Sequence, residues 1–391
     1  MRKSEGASNF KCMKHLTSLF LLFFLFSSCL KKEKADETFV SPDDTLQISH
    51  ARGFAIFYHD GFKEVVVYNP WEIGLVYARY YLTNDKDRQT PENGTKVHIP
   101  LQTIALTSVT QIEFLNVLEE LNTVTGMCSP HLVYNTKIRE GVLSGKIVDL
   151  GDSFSMNVEK TLVLNPQALM TSGYNQNDPN VTRISQAKIP ALFNNEWMET
   201  TLLGRAEWIK FVAAFYDKEA QADSIFSLVE QNYNEIKNLA AGIKQEPNIM
   251  SGSNFRGTWY MPGGKSFMGQ LFADAGAAYF YADDTSSGSL PLNIETVIKN
   301  FAQADVWLNC NFNSIVELQA ADAKHALFRP VSLGEVYNFN KRALPSSAND
   351  FWESAVARPD LLLADVIAIL HPSILPEHEL VYAEKLSKTL E

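Results

Sequence analysis

Two stretches decide how this chain is read: NVEKTLVLNPQALMTSGYN, residues 157–175, and NIETVIKNFAQADVWLNC, residues 293–310. Each opens on Asn-x-Glu, runs on as a short helix, and passes into a strand with an apolar run. The first predicts a helix over Glu159–Asn165, stopped at Pro166, and a strand over Ala168–Thr171. The second predicts a helix over Ile294–Asn300 and a strand over Val306–Cys310. Glu159 and Glu295 fall in the first turn of their helices, where free N–H groups and the helix dipole favour a carboxylate. Simple helix capping accounts for either glutamate alone. The same placement in two halves of one chain suggests a shared task.

Working outward, strands and helices alternate on both sides. Thr103–Leu106, Asn122–Met127 and Pro190–Asn194 read as strands and Gln111–Leu121 as an amphipathic helix. Asn248–Gly252 reads as a strand, Phe267–Asp274 as a helix, and further helices follow Arg358. Such alternation implies parallel sheets with helices on their faces. Between the halves, Ile209, Val212, Phe215, Ile225, Val229, Tyr233, Ile236 and Leu239 recur mostly three or four apart, with no proline. As one helix of about 38 residues, this segment would span roughly 57 Å. The expected fold is therefore α/β: two lobes with parallel-type sheets, residues 103–203 and 243–391, joined by one long α-helix over 204–242. An N-terminal β-rich extension, residues 46–102, precedes them. Its strands are Gly53–Tyr58, Glu64–Asn69 and Leu75–Leu82, with Asp60-Gly61 as a hairpin turn.

At the N-terminus, Lys11 and Lys14 precede an apolar run, Leu16–Phe26, then Ser27, Ser28 and Cys29. About 11 residues cannot cross a hydrocarbon core of roughly 30 Å. Positive flank, short apolar core and small residues read as a signal peptide over 1–28. The cysteine after the serines resembles a bacterial lipobox, which makes Cys29 the lipidation site and residues 29–45 a charged tether. The expected location is the periplasm, anchored to a membrane by an N-terminal lipid. Of 391 residues, 46% are hydrophobic, and the net charge of −11 argues against a nucleic-acid partner. Cys128 and Cys310 stand far apart without a CxxC motif and read as two buried thiols. No GxSxG, HExxH or dinucleotide fingerprint is present. The expectation is no enzyme, no catalytic residue, no metal and no cofactor. His371 and His378, beside prolines, read as surface residues.

This organisation, with the two Asn-x-Glu elements, resembles the class III periplasmic substrate-binding proteins of ABC importers, over about residues 103–390. The family carries iron complexes and cobalamin. The resemblance implies that Glu159 and Glu295 dock onto arginines of an ABC permease dimer, one from each lobe. It also implies a ligand site from three segments. Arg256–Ser266 (RGTWYMPGGKS) matches a strand-to-helix loop at the cleft and offers Arg256, Trp259, Tyr260 and Lys265. Asn194–Trp197 offers Trp197, and Asn349–Glu353 offers Asp350 and Trp352. Tyr174 and Ser108, at equivalent strand ends, are more simply structural. Two departures stand out: Gln167 replaces the usual Asp of the first element, and Ser354 replaces an arginine paired with the aspartate in the cobalamin-binding member. The resemblance implies a lipid-anchored receptor for a ferric siderophore or haem, with a corrinoid as the alternative ligand. A chelatase-like metal enzyme is the alternative of another class.

Overall fold

Polar caps start the two signature helices. Asn157 accepts the Lys160 N–H at 2.9 Å to open helix Val158–Leu164, and Asn293 accepts that of Thr296 at 2.8 Å to open Ile294–Phe301. A short side-chain oxygen at this position satisfies one of the donors that a helix start leaves orphaned. Asn165, in the left-handed region, ends the first helix just ahead of Pro166. The strands that follow, Ala168–Thr171 and Val306–Leu308, are buried throughout. Unbroken apolar runs of this kind suit strands covered on both faces.

The computed structural model describes residues 45–174, 178–243 and 246–388, all in one compact unit. The expected signal peptide, Cys29 and nearly all of the tether lie outside these residues. The first lobe is a five-stranded parallel sheet in the order Ala191–Phe193, Ala168–Thr171, Ile104–Leu106, Val124–Met127, Val148–Asp149. The second runs Ala278–Tyr279, Asn248–Ser251, Val306–Leu308, Val336–Asn338, Glu384–Lys385, parallel except for its last strand. Parallel pairing puts the carboxyl ends of the strands on one edge of each sheet, the edge at which open α/β sheets bind ligands.

The connection between the lobes corrects the expected single helix of 204–242. It consists of two short helices, Leu202–Glu207 and Ile209–Ala214, and a long one, Glu219–Ala240, of 22 residues and so about 33 Å. The chain turns at Phe215–Lys218, with Asp217 at φ +56°. No glycine or proline marks this break. A residue of the extension holds it instead. The Lys63 ammonium donates to the Ala214 carbonyl at 3.2 Å and pairs with Asp217 at 2.6 Å and Glu219 at 2.5 Å.

The extension is a sheet of Phe54–His59, Phe62–Tyr68 and Val76–Thr83, antiparallel, with Thr95–His98 added parallel to the third strand. Its core is continuous with that of the lobes, Phe54 lying 4.8 Å from Trp208 and 5.8 Å from Phe211 between ring centres. Two buried carboxylates sew it down. Glu207 accepts the N–H groups of Ser49, His50 and Ala51, while Glu199 accepts those of Arg52 and Gly53 and the Trp208 indole. The Tyr80 hydroxyl donates to the Ala191 carbonyl and accepts the Phe193 N–H, both at 2.9 Å, and so occupies the edge of the first lobe's sheet.

Cys128 and Cys310 are buried free thiols, as the spacing implied, and burial pushes both up to about 12. Of the two C-terminal histidines, His371 is not a surface residue, while His378 is partly exposed. His371 is buried against the Ala275 and Gly276 carbonyls, and His378 lies 2.7 Å from Asp365.

Candidate functional site

The lobes meet along the edges where their strands end, and two contacts bracket the space between them. At one end Glu353, on helix Asp350–Ser354, reaches across and accepts the N–H groups of Tyr134 and Asn135 at 2.8 and 2.9 Å. Beside it the Arg342 guanidinium lies 5.5 Å over the Tyr134 ring. At the other end Arg205 lies 4.4 Å over the Phe267 ring of the second lobe, and a nitrogen of the same guanidinium approaches Glu196 of the first at 3.4 Å.

Between these contacts the second lobe opens a cavity of about 780 Å³. Its walls come from strand ends and the loops after them: Ser251–Phe255, Asn309–Phe312, Ser287–Ser289, and the start of helix Phe267–Asp274. Phe255, Tyr260, Phe312 and Trp352 present ring faces or edges to it. Tyr260 and Trp352 are about half exposed. At the strand ends of the first lobe stands an aromatic row, Phe154, Tyr174 and Trp197, with ring centres 5.2 and 5.6 Å apart in sequence. Flat apolar surface left open to water in this way can stack on a ligand with faces of its own.

The Glu353 contact sits beside a second, smaller cavity of about 370 Å³ between the lobes, lined by Glu113, Tyr134, Arg342, Asp350, Glu353 and Arg358 among others. Its charges largely satisfy one another. Asp350 accepts the Ser354 hydroxyl at 2.7 Å and pairs with Arg342 at 3.1 Å, while Arg358 grips Asp360 through two nitrogens. Burial pushes Glu113 and Glu353 up to about 7 and raises Asp350 as well.

A model of the periplasmic binding protein family matches residues 104–314, more than half of the chain. The chain belongs to this family. An uncharacterized lipoprotein of Methanocaldococcus jannaschii is 24% identical over 351 residues, covering 83% of this chain and 82% of its own. Among solved structures, the haem-binding protein HutB of Vibrio cholerae is 16% identical, with a TM-score of 0.53 over 67% of this chain and 98% of its own. The vitamin B12-binding protein BtuF of the same organism is 15% identical, with a TM-score of 0.50 over 71% and 99%. An ABC transporter substrate-binding protein of Listeria monocytogenes gives 17% and 0.52 over 70% and 99%. At these identities the likeness is one of fold.

Within this periplasmic binding protein fold, the expected ligand residues separate. Tyr260 and Trp352 line the larger cavity. Trp197 stands in the first lobe's aromatic row, its indole N–H buried without a partner among the described residues. Trp259 is a correction: it is fully buried, donates to the Ser251 carbonyl at 2.9 Å and packs on Trp307 at 5.3 Å. Strand Thr258–Pro262 explains this, because neighbours along a strand face opposite ways and only one of Trp259 and Tyr260 can face the cleft. Asp350 lines the smaller cavity, where Arg342 pairs with it at 3.1 Å. Lys265 is exposed and not part of either wall. The adjacent Gly263-Gly264 is a packing device, since a Cβ on Gly264 would lie 2.4 Å from the Tyr281 carbonyl. Arg256 occupies a tight turn at φ +53°, its guanidinium 5.0 Å over Phe255 at the cavity rim.

Sequence reasoning missed Phe154, Phe312, Tyr134 and Arg342, on loops after strands, and Phe255, on the short strand Asn254–Phe255. For the loop aromatics Phe154, Phe312 and Tyr134, an aromatic in such a loop was the available signal. Glu159 and Glu295 are both well exposed, each beside one cation of its own lobe: Arg183 at 2.7 Å and Lys324 at 3.0 Å. The hydrogen bond from Lys324 holds the Glu295 carboxyl below its ordinary range.

Proposed function

We propose that this protein captures a metal chelate between its lobes and delivers it to an ABC permease, held at the membrane by a lipid on Cys29. The observation that carries the reading is the larger cavity, walled by aromatic rings and bracketed by the Glu353 and Arg205 contacts. A ferric siderophore, haem or a corrinoid each has broad faces that such rings stack on. Lobes 103–203 and 243–391 would close over the ligand about the 22-residue helix. A stiff helical connector favours small hinge motions, so the brackets change little between open and closed forms. Glu159 and Glu295, one per lobe, are the proposed docking carboxylates for permease arginines, which would replace Arg183 and Lys324. Paired exposed carboxylates set orientation on a cationic partner more than they set affinity. Weak surface pairs of this kind exchange readily. A thermal-shift screen against ferric siderophores, haemin and cobalamins tests the reading. A true ligand raises the melting temperature with concentration by mass action. No shift with any of these compounds overturns it.

A further inference from the structure

The following rests on the reading of the cleft as the ligand site and concerns the charge of what enters it. Among the described residues that line the larger cavity there is no Lys, Arg, His, Asp or Glu. Its polar groups are hydroxyls and amides, among them Ser253, Asn309 and Asn311. At its floor the Ser251 hydroxyl is buried without a partner among the described residues, and on the first lobe so is the Trp197 indole N–H. The nearby cations are committed or outside: Arg342 and Arg358, in the smaller cavity, pair with Asp350 and Asp360. Arg205 is beside Glu196, Arg256 lies over Phe255 at the rim, and Lys265 points from the exposed side of the loop.

A multiply charged anion entering this space would give up hydration for walls that return no countercharge. The net charge of −11 adds a repelling field at longer range. An uncharged complex loses little on entry. Its apolar faces gain the rings, and its peripheral carbonyl, amide or hydroxyl groups find neutral donors and acceptors. We infer that the cleft selects electrically neutral chelates, of the ferric tris-hydroxamate or corrinoid kind, and rejects anionic ones such as tris-catecholates and haemin.

The test is a tryptophan-fluorescence titration of the purified full chain with a neutral ferric tris-hydroxamate, cyanocobalamin, a trianionic ferric tris-catecholate and haemin. At least one neutral compound is expected to bind with a Kd roughly tenfold or more below those of both anions. The gap should persist at high salt, because it arises from desolvation inside the cavity. Ser289→Lys, which puts an ammonium on the wall, should narrow it. Equal or tighter binding of either anion by the unmodified protein overturns the charge assignment and leaves the cleft reading standing. Binding of none of the four overturns both.

Discussion

At the scale of single residues, the neighbours Trp259 and Tyr260 do opposite work. Tyr260 and Trp352 offer their rings to the cavity, so Tyr260→Ala with Trp352→Ala should cost on the order of 2–4 kcal/mol of ligand binding while the fold survives. Trp259→Ala empties a site packed by Trp307, His325 and Phe328, and should cost about 3–5 kcal/mol of stability by denaturant titration. The reverse pattern would place the cavity on the wrong side of the strand. The sequence showed that aromatics gather here; their facing followed only once residues 258–262 were known to be a strand. Titration is a second residue-scale effect. Glu113 and Glu353 hold their protons more tightly folded than unfolded, with folded values of about 7 against an ordinary 4.5. The stability this contributes is full below about pH 4.5 and is lost as pH rises through about 7. Melting temperature is expected to fall over that window. Glu113→Gln, whose amide oxygen can still accept from Asn116, should raise it at pH 8 and flatten the profile. Parallel profiles for both proteins would contradict the assignment.

Elements were legible where the local pattern and the fold agree. The signature helices with their asparagine caps, the strands after them and the Asp60-Gly61 hairpin all follow from local chemistry. Helix Phe267–Asp274 was legible as well. The break at Phe215–Lys218 was not, because its cause is Lys63, some 150 positions upstream, satisfying the carbonyl end of one helix and the start of the next. The extension was equally opaque in its role. Its strands were visible, but not that Glu207 and Glu199 bind its entry to the helices between the lobes. Glu207→Ala strips three backbone donors of their acceptor and leaves the buried Lys210 ammonium short of one carboxylate. Unpaired buried polar groups of this kind cost about 3–5 kcal/mol when one partner is removed. Thermal melting of the variant should show that loss as a single lowered transition. An unchanged transition would mean that the extension is a passenger on the fold.

For the whole molecule, the two-lobed plan was legible because the Asn-x-Glu element occurs twice and strands alternate with helices around both copies. The cleft itself was less so, since Arg205 with Phe267 and Glu353 with Tyr134 are contacts between distant segments that no spacing announces. Transport belongs to this scale. Glu159→Arg with Glu295→Arg should leave ligand affinity unchanged and abolish cellular uptake, because like charges would face each other at the permease. Full uptake with both reversals would remove these carboxylates from the docking account. The central claim, that a chelate is held between the lobes against Tyr260 and Trp352, is tested most directly by a crystal structure of the protein with a bound ferric complex. The anomalous signal of the iron locates the ligand independently of any model of it. The account predicts one strong peak in the cavity lined by Phe255, Tyr260, Phe312 and Trp352. A peak outside the cleft, with that cavity filled only by solvent, would contradict it.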